Sequence, residues 1–238
     1  MKVISLVPSW TETLVSADIE VVGRTRFCIH PDNVVNSIPI IGGTKDWNWD
    51  DIKALRPDLI ILDQEENPKF MSEQSEIPFV ATHVTSVESV AGELKKIETF
   101  ISNAQLQQLS HEWSLVRPYQ GEIPGILEWG QKPTCKIQEI YYVIWKNPWM
   151  VISQHTFVGS MLAYCGVNVS KHLEKYPRID IAQLPNKEST LLLFSSEPYP
   201  FMQKREGLSE LGHPYAFIDG EKFSWFGLRS LRFLQSLK

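Results

Sequence analysis

The amino-acid sequence predicts an α/β protein of two lobes, each a mostly parallel sheet with flanking helices, bridged by a long α-helix. Three observations predict it. Short apolar runs alternate with helical segments over the first third of the chain, the order that builds a parallel sheet with helices on its faces. A stretch of helical period without strands follows, and a second strand–helix alternation fills the remainder. The expected boundaries are residues 1–82, 83–135 and 136–238.

In the first lobe, Val3–Val7 alternates like a strand and stops at Pro8. Pro8–Glu12 opens a helix, with Ser9 as candidate N-cap and Glu12 three residues on as its capping-box partner. Val21–Gly23 and Pro39–Gly42 are short strands. Asp50 and Asp51 begin a helix that runs to Leu55, and Pro57-Asp58 turns it into Leu59–Leu62, a continuous apolar run suited to a strand buried on both faces. Ile77–Val80 closes the set.

From Val87 the period changes. Val87, Val90, Ala91, Leu94, Ile97 and Ile101, then Leu106, Leu109 and Trp113, fall at helical spacing and predict one long segment kinked near Asn103. Pro118, Gly121, Pro124 and Pro133 make its far end irregular. The second lobe is expected to hold a strand at Ile140–Trp145, a helix at Phe157–Cys165 and the apolar segment Gly166–Val169. A strand at Thr190–Phe194, a helix near Gln203–Leu211, a strand at Ala216–Ile218 and a last helix at Gly227–Leu237 complete it. No internal repeat or low-complexity tract interrupts the pattern.

Composition narrows the function. With 238 residues, 43% hydrophobic and 21% charged, the chain buries sizeable cores and is not disordered. A net charge of −5 argues against nucleic acid, which requires a basic footprint. Three cysteines, an odd count at wide spacing, indicate no disulfide framework. No secretory h-region and no apolar run near the ~18–20 residues of a membrane span are visible. The cytoplasm is therefore the expected location, with the periplasm as the alternative if a leader has been removed.

Ligands of open parallel sheets bind outside the carboxyl ends of the strands. Six of the eight tryptophans (Trp10, Trp47, Trp49, Trp145, Trp149 and Trp225) lie in segments that follow a strand, which favours an aromatic-lined cleft for a flat ligand. The competing reading is that each tryptophan pins its own loop. Cys28-x-His30 is a candidate metal pair, but Cys135 and Cys165 do not complete a zinc pattern, and a buried thiol beside a backbone-bonded histidine is the better reading of the pair. Glu66, Glu197 and His155 are candidates for acid–base chemistry on a small molecule. No phosphate loop, nucleophile elbow or metalloprotease motif accompanies them, so an enzyme is the alternative rather than the expectation.

Val3–Leu14, Val21–Gly23, Ile41–Thr44 and Ile52–Ile60, the last reading I-x-A-L-x-P-D-L-I, together resemble the substrate-binding proteins of iron-siderophore and vitamin B12 ABC transporters, the helical-backbone metal receptors. Arg24–Pro31, Trp145–Met150 and Ser195–Phe201 are similar to a cobalamin-binding-protein-like branch of that group. The resemblance implies two α/β lobes bridged by a helix, a non-enzymatic role, and a ligand held between the lobes. That ligand would be a corrinoid, haem or ferric siderophore, with no other cofactor required. Trp10, Trp47, Trp145, Trp149 and Trp225 are the expected flat contacts, with Arg26 toward carboxylate or amide groups and Cys28 or His30 toward the metal. Glu66, His155, Glu197 and Tyr199 complete the expected site. An ABC permease is the implied partner. The family docks on it through an acidic residue on each lobe, for which this chain offers Glu65 and Glu66 on the first and no clear counterpart on the second.

Overall fold

The computed structural model describes residues 1–73 and 76–237. Contacts divide the chain into two units. The first comprises Met1–Val84, Glu88–Val116 and Trp225–Arg232; the second comprises Thr85–Val87, Arg117–Ser224 and the chain from Phe233.

The first unit is built on four parallel strands, β1 (Val3–Ser5), β2 (Val21–Arg24), β3 (Leu59–Asp63) and β4 (Phe79–Thr82), in the order β2-β1-β3-β4. Every residue of β3 is buried, as its unbroken apolar run requires of a strand covered on both faces. The connections carry α1 (Pro8–Ser16), α2 (Asp32–Val35), α3 (Trp49–Ala54) and α4 (Phe70–Glu73). Ile4, Leu6, Ile41, Ile52, Ile60 and Leu62 form a core cluster. The expected capping box is not made. Pro8 takes the first helical position, so Val7 stands at the N-cap and Ser9 is inside the helix. Glu12 instead accepts a bidentate ion pair from Arg229, at 2.7 and 3.0 Å. Pro39–Gly42 is also no named strand: between a proline and a glycine at φ +140° it makes two isolated bridges, Ile40 to Arg24 and Gly42 to Trp47.

The long helical stretch is two helices, α5 (Val87–Glu98) and α6 (Ala104–Ser114). Asn103 is the reason for the break: its Oδ1 accepts from the backbone N–H groups of Gln105 (2.9 Å) and Leu106 (3.1 Å), starting a new helix instead of kinking the old one. The apolar stripe is otherwise as predicted, with Val90, Leu94, Ile97, Leu106, Leu109 and Trp113 buried.

The second unit holds β5 (Ile126–Gln131), β6 (Glu139–Trp145), β7 (Met150–Val151), β8 (Thr190–Ser195) and β9 (Tyr215–Ile218), ordered β5-β9-β8-β6-β7. The central β6, β8 and β9 are parallel, and β5 and β7 are antiparallel edges. β5 has no counterpart in the sequence reading because, as a largely exposed edge strand, it lacks the apolar alternation that marks one. α7 (Phe157–Tyr164) and α8 (Gly220–Ser224) flank the sheet. The helix expected near Gln203–Leu211 is a run of turns ending in one 3-10 turn at Ser209–Leu211, interrupted by Gly207 at φ +76°. Gly166–Val169 forms no strand. The last helix, α9, spans Leu228–Ser236. Among the described residues no helix is long and apolar enough to cross a membrane.

Candidate functional site

In the first unit two buried polar networks fix the loops beyond the strand ends. At the end of β2, Arg24 is buried and donates through Nε to Val35 O (2.7 Å) and through Nη1 to Thr25 O (3.2 Å) and Cys28 O (3.0 Å). The Cys28 thiol lies 3.0 Å from Thr11 Oγ1 and 3.2 Å from Thr25 Oγ1, fully buried. Burial pushes its pKa up, against the hydrogen bonds from Thr11 and Thr25, so at neutral pH it rests as the thiol. These contacts hold a loop that exposes Phe27 and Ile29. Arg26, on the same loop, bridges Asp46 at 2.8 Å and lies 5.4 Å from the Phe27 ring centroid. His30 meets the ring of Trp225 edge-on at 5.2 Å, and the Arg229 guanidinium lies 5.2 Å from Trp225.

Beyond β3 and β4, Asp63 is fully buried and its carboxylate accepts from Thr82 Oγ1 (2.7 Å) and from the backbone N–H groups of Glu65 (2.9 Å) and Val84 (3.2 Å). Thr82 Oγ1 in turn accepts from Trp10 Nε1 at 2.8 Å. Asn67 Oδ1 accepts from the Asp63 N–H, and its Nδ2 donates to Thr44 O at 2.8 Å. Burial is the largest influence on the Asp63 pKa and raises it, opposed by those hydrogen bonds. A polar cluster this fully satisfied fixes geometry.

In the second unit the register of β6 against β8 pairs Val143 with Phe194, so the segments Trp145–Trp149 and Ser196–Lys204 leave neighbouring strands side by side. Trp149 stacks on Phe201, with centroids 6.2 Å apart and planes 7° from parallel. Tyr199 packs against Phe201 at 4.5 Å and receives Trp145 edge-on at 5.5 Å. Phe201 is core, Trp149 and Tyr199 pack on the core's edge, and Trp145 is 40% exposed. Lys146 Nζ lies 5.6 Å from the Trp149 centroid and Lys204 Nζ 5.3 Å from that of Tyr199. Glu197 Oε1 accepts from Ser224 Oγ at 2.5 Å. Gly220 is required nearby, because a Cβ there would meet Ser195 Oγ and Glu197 Cγ.

The structure corrects two of the expected contacts. Trp10 and Cys28 have no exposed surface; the indole belongs to the Asp63–Thr82 network and the thiol to the Arg24 loop, so neither presents a face to a ligand. Trp47 is half-buried against the first unit's core, edge-on to Trp49 at 5.2 Å. Trp145, Trp149 and Tyr199 come together in one unit, and His30 and Trp225 in the other. Glu66 is half-buried in the turn after β3. His155 is exposed and accepts from Gln154 Nε2 at 2.8 Å. Among the described residues no group of three or more His, Cys, Asp or Glu side chains is placed to hold a metal ion. Lys146 and Lys204 went unnoticed in the sequence; the available signal was a lysine within a few residues of the aromatics at two adjacent strand ends.

No protein family model and no curated protein matches the sequence. Solved structures do. Over 99% of its length the chain is similar to the periplasmic vitamin B12-binding protein BtuF of Vibrio cholerae, covering 94% of that chain with a TM-score of 0.72 and 16% identity. A periplasmic haem-binding protein from Pseudomonas aeruginosa matches with a TM-score of 0.72 and 16% identity, over 99% of this chain and 90% of that one. An ABC transporter substrate-binding protein from Listeria monocytogenes matches with a TM-score of 0.69 and 13% identity, over 99% and 96%. The chain therefore has the two-sheet α/β fold of these binding proteins.

Proposed function

We propose that this chain, built on the fold of periplasmic substrate-binding proteins, binds a metal chelate or macrocycle without transforming it. The ligand class is a corrinoid, haem or ferric siderophore. The observation that carries the reading is the placement of aromatic side chains at the carboxyl ends of parallel strands: Trp145 as the last residue of β6, Trp149 beyond it, and Tyr199 beyond β8. Large rigid rings in such a position give affinity for a flat ligand at little conformational cost, and the few polar groups beside them set its orientation. The structural likeness to B12- and haem-binding proteins supports the same class. The same likeness supports a permease partner and a periplasmic location.

Titration of the full chain with cobalamin, haem and a ferric siderophore tests the proposal. At least one of them is expected to quench tryptophan emission and raise the melting temperature. Silence in both readouts across all three overturns it.

A further inference from the structure

Two ammonium groups flank the aromatic surface of the second unit. Lys146 follows Trp145 at the end of β6, and Lys204 ends the segment after β8, so the adjacency of those strands sets both at one sheet end. Each Nζ lies over a ring, Trp149 for Lys146 and Tyr199 for Lys204, at 5.6 and 5.3 Å from the centroid. Among the described residues neither is paired with a carboxylate, whereas the neighbouring cations are: Arg205 forks onto Glu128 at 2.8 and 3.0 Å, and Lys222 bridges Asp219 at 2.9 Å. Glu197, the carboxylate of the same loop, accepts from Ser224 Oγ. A ring face attracts a cation but accepts no conventional hydrogen bond from it, so both ammoniums keep donors to offer.

We propose that this surface selects a flat ligand bearing anionic groups at its edge, carboxylate or phosphate, with Trp145 under its apolar face, Tyr199 edge-on beside it, and Lys146 and Lys204 as the counter-charges. The inference rests on the chelate-binding reading and narrows its ligand class to acidic macrocycles or chelates. Neutral flat ligands keep the ring contact and lose the ion pairs.

The test compares protoporphyrin IX, a dicarboxylic acid, with its uncharged dimethyl ester, by tryptophan quenching of the full chain. At low salt the diacid is expected to bind about five- to tenfold more tightly than the ester, the size of two solvent-accessible ion pairs. High salt and the double substitution K146Q/K204Q both erase that margin, while the double variant still unfolds cooperatively and keeps its affinity for the ester. Trp145→Ala weakens both ligands. Equal affinity of the wild type for diacid and ester, or a margin that survives in K146Q/K204Q, overturns the role of the lysines and leaves chelate binding standing. If neither porphyrin, cobalamin nor a ferric siderophore binds, the chelate reading fails and takes this inference with it.

Discussion

Cys28, Cys165 and Cys135 show how burial decides the chemistry of one side chain. Desolvation raises the Cys28 thiol and pushes Cys165 up to about 12, whereas Cys135 is exposed. A thiol-reactive dye is therefore expected to label one cysteine of the native protein quickly, at Cys135, and the other two only after denaturation. Rapid native labelling of Cys28 would contradict its place in the Thr11–Thr25 cluster. Asp63 makes a second case. Its carboxyl is raised above the ordinary value of 3.8, so the folded state holds the proton more tightly than the unfolded one. The stability contributed by that group is fully present below the unfolded pKa and is lost as pH rises through the raised folded value. Removing the titration with Asp63→Asn is predicted to make stability climb more steeply with pH across that acidic window than in the wild type, read from urea midpoints. Parallel curves would show that Asp63 does not titrate there.

Elements follow the same logic one level up. The apolar stripe of α5 and α6 was legible because helical period needs only side-chain type, but the break at Asn103 depends on one amide oxygen choosing backbone donors over solvent. Asn103 also donates from Nδ2 to Ala17 O at 3.0 Å. Asn103→Ala is predicted to cost about 1–2 kcal/mol, the range of a lost N-cap, measurable as a lower urea midpoint at unchanged slope. Arg24 gives the opposite lesson. In the sequence this charged residue after the Val21–Gly23 strand carries no assigned structural role, yet it is 6% exposed and satisfies three carbonyls. Strands buried on both faces, such as β3, announced themselves; the edge strand β5 did not, having little to bury. The aromatic site was half legible: the tryptophans at strand ends could be located, but which of them faces outward is a matter of packing. Trp10 and Trp145 occupy equivalent positions in the sequence argument and opposite ones in the structure.

Across the whole molecule, ligand binding and stability are linked. If the ligand binds the folded chain alone, a concentration of a hundred dissociation constants stabilises it by about 2.7 kcal/mol. For a chain of this size that amounts to a rise in melting temperature of roughly 5–10 °C, and scanning calorimetry at increasing ligand checks that the shift grows with its logarithm. The path of the chain adds a constraint of another kind. The first unit is discontinuous: Gly227, at φ +93° and too close to Thr13 Oγ1 for a Cβ, accepts from Trp113 Nε1 at 3.0 Å, Leu228 N–H donates to Thr13 Oγ1, and Phe226 closes over Trp10 at 4.9 Å. A fragment ending at Val116 is accordingly expected to melt without a cooperative transition, and supplying residues 225–232 on a short linker to restore one. On the ribosome, where the chain emerges from its amino end, the first unit must therefore wait for its closing segment until all of Arg117–Ser224 of the second has been made.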